Sequence, residues 1–192
     1  AGPGGDYVTP ENVMHPAEPG RAWELCNTIN DAWGYAEFDA NYKTVNQLIF
    51  MLVNCAVHGG NLLLNISPRA DGTVPTEQVE RLEAVGRWLE KHGESVYGVE
   101  RLSNVYTCNG RITRKGRRLY LHCFYWNGPT LAIAGLTDEM IGGTIGSARV
   151  SARILTTGEP ACTHWDGNRL IIDGLPDTPP DAADTVITVD VE

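Results

Sequence analysis

The hydrophobic period of the chain changes near residue 98, and that change narrows the folds open to it. Before it, helical and strand signals alternate; after it, short apolar runs repeat with period two between turn residues. Over 192 residues this predicts an α/β part at 1–97 followed by an all-β part at 98–192.

In the first part, Val45, Leu48, Ile49, Leu52, Val53 and Ala56 recur at helical spacing, which predicts an amphipathic helix over 44–58. Gly59 and Gly60 end it, since glycine accepts the left-handed cap conformation. Residues 62–66 are an apolar run apart from Asn65, the pattern of a strand covered on both faces in a parallel sheet. A second helix starts near Thr76, after Pro75, with Glu77 and Glu80 favourably placed in its first turn. Val79, Leu82, Val85 and Leu89 form its apolar stripe, and Gly93 closes it. Helix, buried strand, helix is the rhythm of a βα barrel or of a doubly wound sheet.

In the second part, Leu119, Leu121, Cys123 and Tyr125 alternate with Tyr120, His122, Phe124 and Trp126. The stretches "TLAIAGL", "SARVSARILTTG", "NRLIIDGL" and "DTVITVDVE" continue the series, which predicts a β-sandwich.

A net charge of -9 argues against a nucleic-acid partner, which requires a basic face. The basic cluster "RITRKGRR" at 111–118 reads as a solvated hairpin turn. No run reaches the roughly 18 apolar residues of a membrane span, and "AGPGGDYVTPEN" lacks the basic and apolar regions of a signal peptide. The compartment stays open. Cys26, Cys55, Cys108, Cys123 and Cys162 include no C-x-x-C pair, so no structural zinc site is expected. Their spacing suits buried free thiols, with a pair among Cys108, Cys123 and Cys162 left open. His58 and His92 fall at helix ends, where a cation suits the helix dipole; His122 and His164 lie in the second part.

Chemistry is expected at the C-terminal strand ends of a βα fold, where Asn65, Ser67 and the loop through Asp71 lie. Asn65 either serves a site or caps its own loop. Its match to the glycosylation sequon Asn65-Ile66-Ser67 sits at a strand end unsuited to modification. The stretch "WELCNTINDAWGYAEFDANY", 23–42, interleaves Trp23, Trp33 and Tyr35 with Glu24, Asn27, Asn30, Asp31, Glu37 and Asp39. Flat rings against the apolar face of a sugar, with amides and carboxylates on its hydroxyls, suit a polyol site. Trp23 reads as core, and Trp33 with Tyr35 as a site. Glycoside hydrolysis needs two carboxyl groups, and Asp39 and Glu37 are the candidates for the acid.

The motifs "GDYVTPEN", "WELCNTINDAWGY", "NYKTVNQLI", "GGNLLLNISPRADGTVP" and "RLEAVGRWLEKHGESVYG" carry a resemblance. In order and spacing over residues 5–98, they resemble the C-terminal part of the α-L-fucosidases of glycoside hydrolase family 29. The tail "LIIDGLP" and "DTVITVDV" is similar, more weakly, to that family's C-terminal β-sandwich.

The resemblance implies the closing portion of a (β/α)8-like barrel, with "LLLN" as its last strand, plus an antiparallel β-sandwich. It implies a retaining exo-glycosidase acting on terminal α-L-fucose of oligosaccharides or glycoconjugates, with no metal or organic cofactor. The family's nucleophile is an Asp on a strand upstream of the "GDY" motif, and nothing before Gly5 matches it. This chain alone is therefore expected to be inactive. The acid/base lies a few residues after "WGY": Asp39 by position, with Glu37 close by. Asp39 is one methylene shorter than Glu, so its loop must approach further to reach the roughly 5–5.5 Å carboxyl separation of a retaining pair. Trp33, Tyr35, Asn27 and Asn65 are the implied sugar-binding residues. A separate chain supplying the missing barrel half, or a homo-oligomer, is a conceivable partner. The alternative function is a non-catalytic carbohydrate-binding or scaffolding module.

Overall fold

The computed structural model describes residues 5–102, 106–107 and 109–192, so Cys108 lies outside the described residues. The chain divides into two compact units, Ala1–Glu90 and Lys91–Glu192.

The first unit is built on parallel pairing. Strand β1 (Glu24–Thr28) pairs in parallel with β2 (Asn61–Asn65), Cys26 opposite Leu63 and Thr28 opposite Asn65. A further segment runs parallel along the other edge of β1, with bridges Val8 to Trp23 and Glu11 to Cys26. Its backbone bonds continue the ladder: Glu24 N–H to Val8 O at 2.9 Å, Cys26 N–H to Pro10 O at 2.9 Å and Asn12 N–H to Cys26 O at 3.0 Å.

Helix α1 (Val45–Val57) connects β1 to β2 as a crossover. It opens on a capping box, in which the Thr44 side chain accepts from Gln47 N–H and the Gln47 side chain accepts from Thr44 N–H. It ends on a Schellman motif, Gly59 N–H donating to Ala56 O at 2.9 Å and Gly60 N–H to Cys55 O at 2.8 Å. The two glycines serve different needs. Gly59 adopts φ +71, which favours glycine. Gly60 leaves room for an indole, because a Cβ there would lie 2.1 Å from Trp23 Cε2. That indole is 2% exposed in a cluster with Ala17, Leu25 and Cys55, and its Nε1 donates to His58 O at 3.1 Å. Trp23 is core, as its sequence context predicts.

Partnered residues on parallel strands share a face. Val8, Trp23, Leu25 and Leu62 turn toward the cluster that includes Cys55 of α1. Glu11, Cys26 and Leu63 form a row on the opposite face, with Thr28 and Asn65 beyond them toward the C-terminal ends. This second face is open. Leu63 is 51% exposed, so the apolar run of β2 is not covered on both faces as its pattern predicts. Among the described residues β2 has a strand neighbour on one edge only. Helix α2 (Thr76–His92) departs likewise: Val79 and Leu82 of its expected stripe are each 37% exposed, while Gln78 and Trp88 are buried.

The second unit is antiparallel. Its strands are β3 (Gly110–Lys115), β4 (Arg118–Cys123), β5 (Thr130–Ile133), β6 (Val150–Ile154), β7 (Pro160–Asp166), β8 (Arg169–Asp173) and β9 (Thr185–Val191). They follow the order β3-β4-β9-β6-β7-β8-β5. β7 joins the two halves of this order, meeting β6 through Pro160 and Ala161 and β8 through residues 162–166. Burial alternates along β5 and β8, whereas β4 and β9 are buried on nearly every residue.

Two elements carry no strong signal in the sequence. β7 begins on a proline and has only one bulky aromatic, Trp165; the four-residue helix α3 (Asp138–Ile141) is shorter than any periodicity reveals. The basic cluster forms the β3–β4 hairpin, and its cations are largely engaged. Arg114 pairs with Glu100 at 2.5 Å, Arg118 with Asp190 at 2.6 Å, and Arg111 lies 4.4 Å from the Tyr106 ring centre. Cys26, Cys55 and Cys162 are free thiols, with burial pushing Cys55 up to about 12.

His92 departs from its helix-end reading as a cation. It is fully buried, and burial pushes its pKa below the ordinary 6.5 against the opposing pull of Asp181, 3.4 Å away. His122 is buried as well, 2.7 Å from the Asp184 carboxylate and 3.2 Å from Thr113 Oγ1. Among the described residues no helix is long and apolar enough to cross a membrane.

Candidate active site

The C-terminal ends of the N-terminal segment, β1 and β2 point to the same edge of the first unit, the edge at which βα folds place their chemistry. The loop of residues 29–43 covers that edge, and an extensive set of polar contacts holds it.

Asp39 is the centre of the loop. Its Oδ2 accepts from Asn30 Nδ2 at 2.8 Å, Ala32 N–H at 2.9 Å and Asp31 N–H at 3.1 Å; its Oδ1 accepts from Asn41 N–H at 3.1 Å. Partial burial opposes ionisation, but the four donors outweigh it and hold the Asp39 carboxyl below its ordinary value. As arranged, Asp39 is an ionised anchor that sets the shape of the loop.

Below the loop lies a buried amide network. Asn30, 2% exposed, receives bonds at its Oδ1 from Ser67 Oγ and Gln78 Nε2, both at 3.4 Å. Gln78 of α2 in turn accepts from Ser67 N–H at 2.9 Å, tying the helix to the end of β2. Lys43 donates to Thr28 O at 2.7 Å and Asn30 O at 3.4 Å, and burial lowers its pKa against the pull of Asp31 and Asp39. Thr28 Oγ1 also donates to Asn30 O.

On this base the loop presents its aromatic residues outward. Asn65 Nδ2 donates to Trp33 O at 2.8 Å, so Asn65 both sits at the strand end and positions the "WGY" backbone. Trp33 and Tyr35 are 41% and 46% exposed. Glu37 is exposed and makes no hydrogen bond or ion pair within the described residues. Asn27 lies apart from this group. It is buried, with Nδ2 donating to Asn12 O at 3.2 Å and Oδ1 accepting from Thr28 N–H at 2.8 Å, which commits it to the backbone.

The geometry also introduces a carboxylate that the sequence reading passes over. Glu11 shares the open face with Cys26 and Leu63, near the C-terminal end of its segment. The next residue, Asn12, has φ +59, and Val13 N–H donates back to Glu11 O at 2.6 Å. A three-residue turn with positive φ at a non-glycine is strained, and such strain concentrates at functional sites. The only sequence signal was the acidic residue closing "GDYVTPE", legible once a strand had been placed over residues 8–12. Among the described residues no group of three or more His, Cys, Asp or Glu side chains converges as a metal site requires.

The α-L-fucosidase family model matches residues 1–94, which contain every group just described. The α-L-fucosidase of Dictyostelium discoideum is 31% identical over 79% of this chain, covering 32% of its own length. The chain belongs to the α-L-fucosidase family. Among solved structures, α-L-fucosidase isoenzyme 1 of Paenibacillus thiaminolyticus superposes with a TM-score of 0.83 at 31% identity, over 97% of this chain and 45% of that one. A family 29 α-L-fucosidase of Bacteroides thetaiotaomicron, trapped as a covalent intermediate with 2-fluoro-fucosyl fluoride, superposes with a TM-score of 0.77 at 26% identity. That match covers 97% of this chain and 43% of the other. The chain thus spans about a third of the length of the Dictyostelium fucosidase and less than half of each solved structure.

Proposed function

We propose that this chain is the C-terminal portion of a retaining exo-α-L-fucosidase that releases terminal α-L-fucose from oligosaccharides or glycoconjugates. The observation that carries the reading is the convergence of three parallel strand ends on a hydrogen-bonded loop bearing Trp33, Tyr35 and the exposed carboxylate Glu37, within the family match. Residues 1–97 then close a (β/α)8-like barrel and residues 98–192 form its β-sandwich. The uncovered edge of β2 and the exposed Leu63 support a barrel whose other strands lie outside this chain.

In this mechanism a nucleophilic Asp on an earlier strand attacks the anomeric carbon. A carboxylic acid of this chain protonates the leaving oxygen and then, as carboxylate, takes a proton from water. Trp33 and Tyr35 wall the fucose pocket. Asp39 and Glu37 are the acid/base candidates by position, and Glu11 joins them by its place on the open strand face. A general acid must hold its proton near neutral pH, and four donors on Asp39 oppose that.

The test is leaving-group dependence in the complete enzyme bearing Asp39→Asn, Glu37→Gln or Glu11→Gln. Loss of the acid slows fucosides of poor leaving groups by roughly 10²–10⁴ while sparing activated aryl fucosides. The anchor role of Asp39 predicts instead that Asp39→Asn lowers both substrates together. The 192-residue chain by itself is expected to leave an aryl α-L-fucoside intact, and turnover by the purified chain would refute the partial-barrel reading.

A further inference from the structure

The loop that follows β2 contains a cation with unused bonding capacity. Its backbone is closed by Arg69 N–H to Thr73 O at 2.8 Å and Gly72 N–H to Arg69 O at 2.9 Å. Asp71, the nearest acid in the loop, spends its Oδ1 on Thr73 N–H at 3.0 Å and Thr73 Oγ1 at 2.7 Å. Arg69 is consequently half-buried without an ion pair, its guanidinium 5.6 Å from the centre of the Tyr35 ring.

The neighbouring cations differ in this respect. Lys43 is turned inward onto the carbonyls of Thr28 and Asn30. Arg81 lies 5.0 Å from the Tyr42 ring centre, but donates to Lys43 O at 2.7 Å and Glu77 O at 2.8 Å. Among the described residues Arg69 has no side-chain hydrogen bond, so its planar fork of donors is available at the rim of the sugar site. In a chain with net charge -9, a guanidinium beside an exposed aromatic, with no ion pair although its charge reaches Asp71, is a local concentration of positive charge.

Resting on the fucosidase reading, we propose that Arg69, seated over Tyr35, recognises a carboxylate or sulfate on the sugar to which the terminal fucose is attached. An exo-acting enzyme holds the terminal sugar inside its pocket and leaves the next residue at the rim. At that rim the Tyr35 ring carries the Arg69 guanidinium over its face, and Arg69 offers the bidentate geometry that carboxylates and sulfates accept. Orientation by Tyr35 reduces the rotamer freedom that Arg69 would otherwise lose on binding.

The test compares kcat/KM of the complete enzyme on four substrates: a neutral aryl α-L-fucoside, and three fucosyl disaccharides whose second sugar is neutral, sulfated or a uronate. Either anionic disaccharide is expected to be preferred over the neutral one by roughly tenfold or more, the scale of a charge-assisted hydrogen bond, and 1 M salt reduces the preference. The preferred anion separates sulfated from uronic glycans as the source. Arg69→Met removes the preference without changing the aryl fucoside, and Arg69→Lys restores only part of it. Equal kcat/KM for neutral and anionic disaccharides, or an equal loss on all substrates in Arg69→Met, overturns the proposal. Failure to cleave the aryl fucoside overturns the fucosidase reading and this inference with it.

Discussion

In the unit Lys91–Glu192, the central strands β4 and β9 are buried almost throughout, with Leu119, Val186, Ile187 and Val189 at 0% exposure. In the unit Ala1–Glu90, the sheet face bearing Glu11, Cys26 and Leu63 stays open, and Leu63 is 51% exposed. Antiparallel strands can pair through short turns, as β3–β4, β6–β7 and β7–β8 do, and the second sheet reaches seven strands by adding the distant pairs β4–β9, β9–β6 and β8–β5. Parallel strands need a crossover for every added partner, and the first unit contains one helical crossover, α1, between its paired strands. The polar network at the strand ends is complete in spite of this. The first unit therefore carries an ordered polar rim on an uncovered sheet, and the second carries a covered sheet in which no functional role is needed to explain the packing.

The contrast has measurable consequences. Ile187→Ala deletes fully buried atoms from β9 and is expected to destabilise the second unit by about 2–5 kcal/mol in denaturant unfolding. A cost below about 1 kcal/mol would show that this sheet is not the packed core described here. Gly60→Ala drives a methyl into the Trp23 indole, which cannot retreat without losing its bond to His58 O. The first unit should lose about 1–3 kcal/mol, and Trp23 fluorescence should shift. An unchanged spectrum and stability would mean that the α1–β2 junction is looser than the Schellman geometry indicates.

A smaller effect is expected from pH. Burial depresses the folded-state pKa of His92, so the unfolded chain binds the proton more readily. The corresponding stability is fully present above about pH 6.5, the ordinary histidine value, and is lost as pH falls from there through the lower folded value. His92→Asn should remove about one proton's worth of slope from that window. An unaltered slope would assign the acid sensitivity to other groups. The smallest effect is expected from Leu63→Ala, within about 0.5 kcal/mol in this chain, because half of the side chain is already in water. In a complete barrel the same substitution should cost several times more, and equal costs in both settings would break the argument that the face awaits further strands.

Several features were legible in the sequence for local reasons. Helix α1 declares itself through its apolar spacing and its paired glycines, all interactions within a few residues of one another. The β3–β4 hairpin was readable for the same reason. Trp33 and Tyr35 stood out because exposed rings among amides and carboxylates are uncommon, and the structure leaves both rings accessible. The state of Asp39 was not legible, because its four donors come from Asn30, Asp31, Ala32 and Asn41, and their convergence depends on how the loop folds back. Glu11 was missed because its significance lies in being paired with Cys26, fifteen residues further along the chain by number but adjacent in the sheet.

The sequence by itself determined the change from an α/β part to an all-β part, the ends of α1 and the family resemblance, because periodicity, capping and motif spacing are properties of neighbouring residues. Only the tertiary structure decided which carboxylates are spent and which remain free, that His92 is buried below its ordinary pKa, and that Arg69 keeps its donors over Tyr35. Those outcomes depend on which distant groups meet, and hydrogen-bond donors, burial and charge act on a side chain only through the neighbours that folding brings to it.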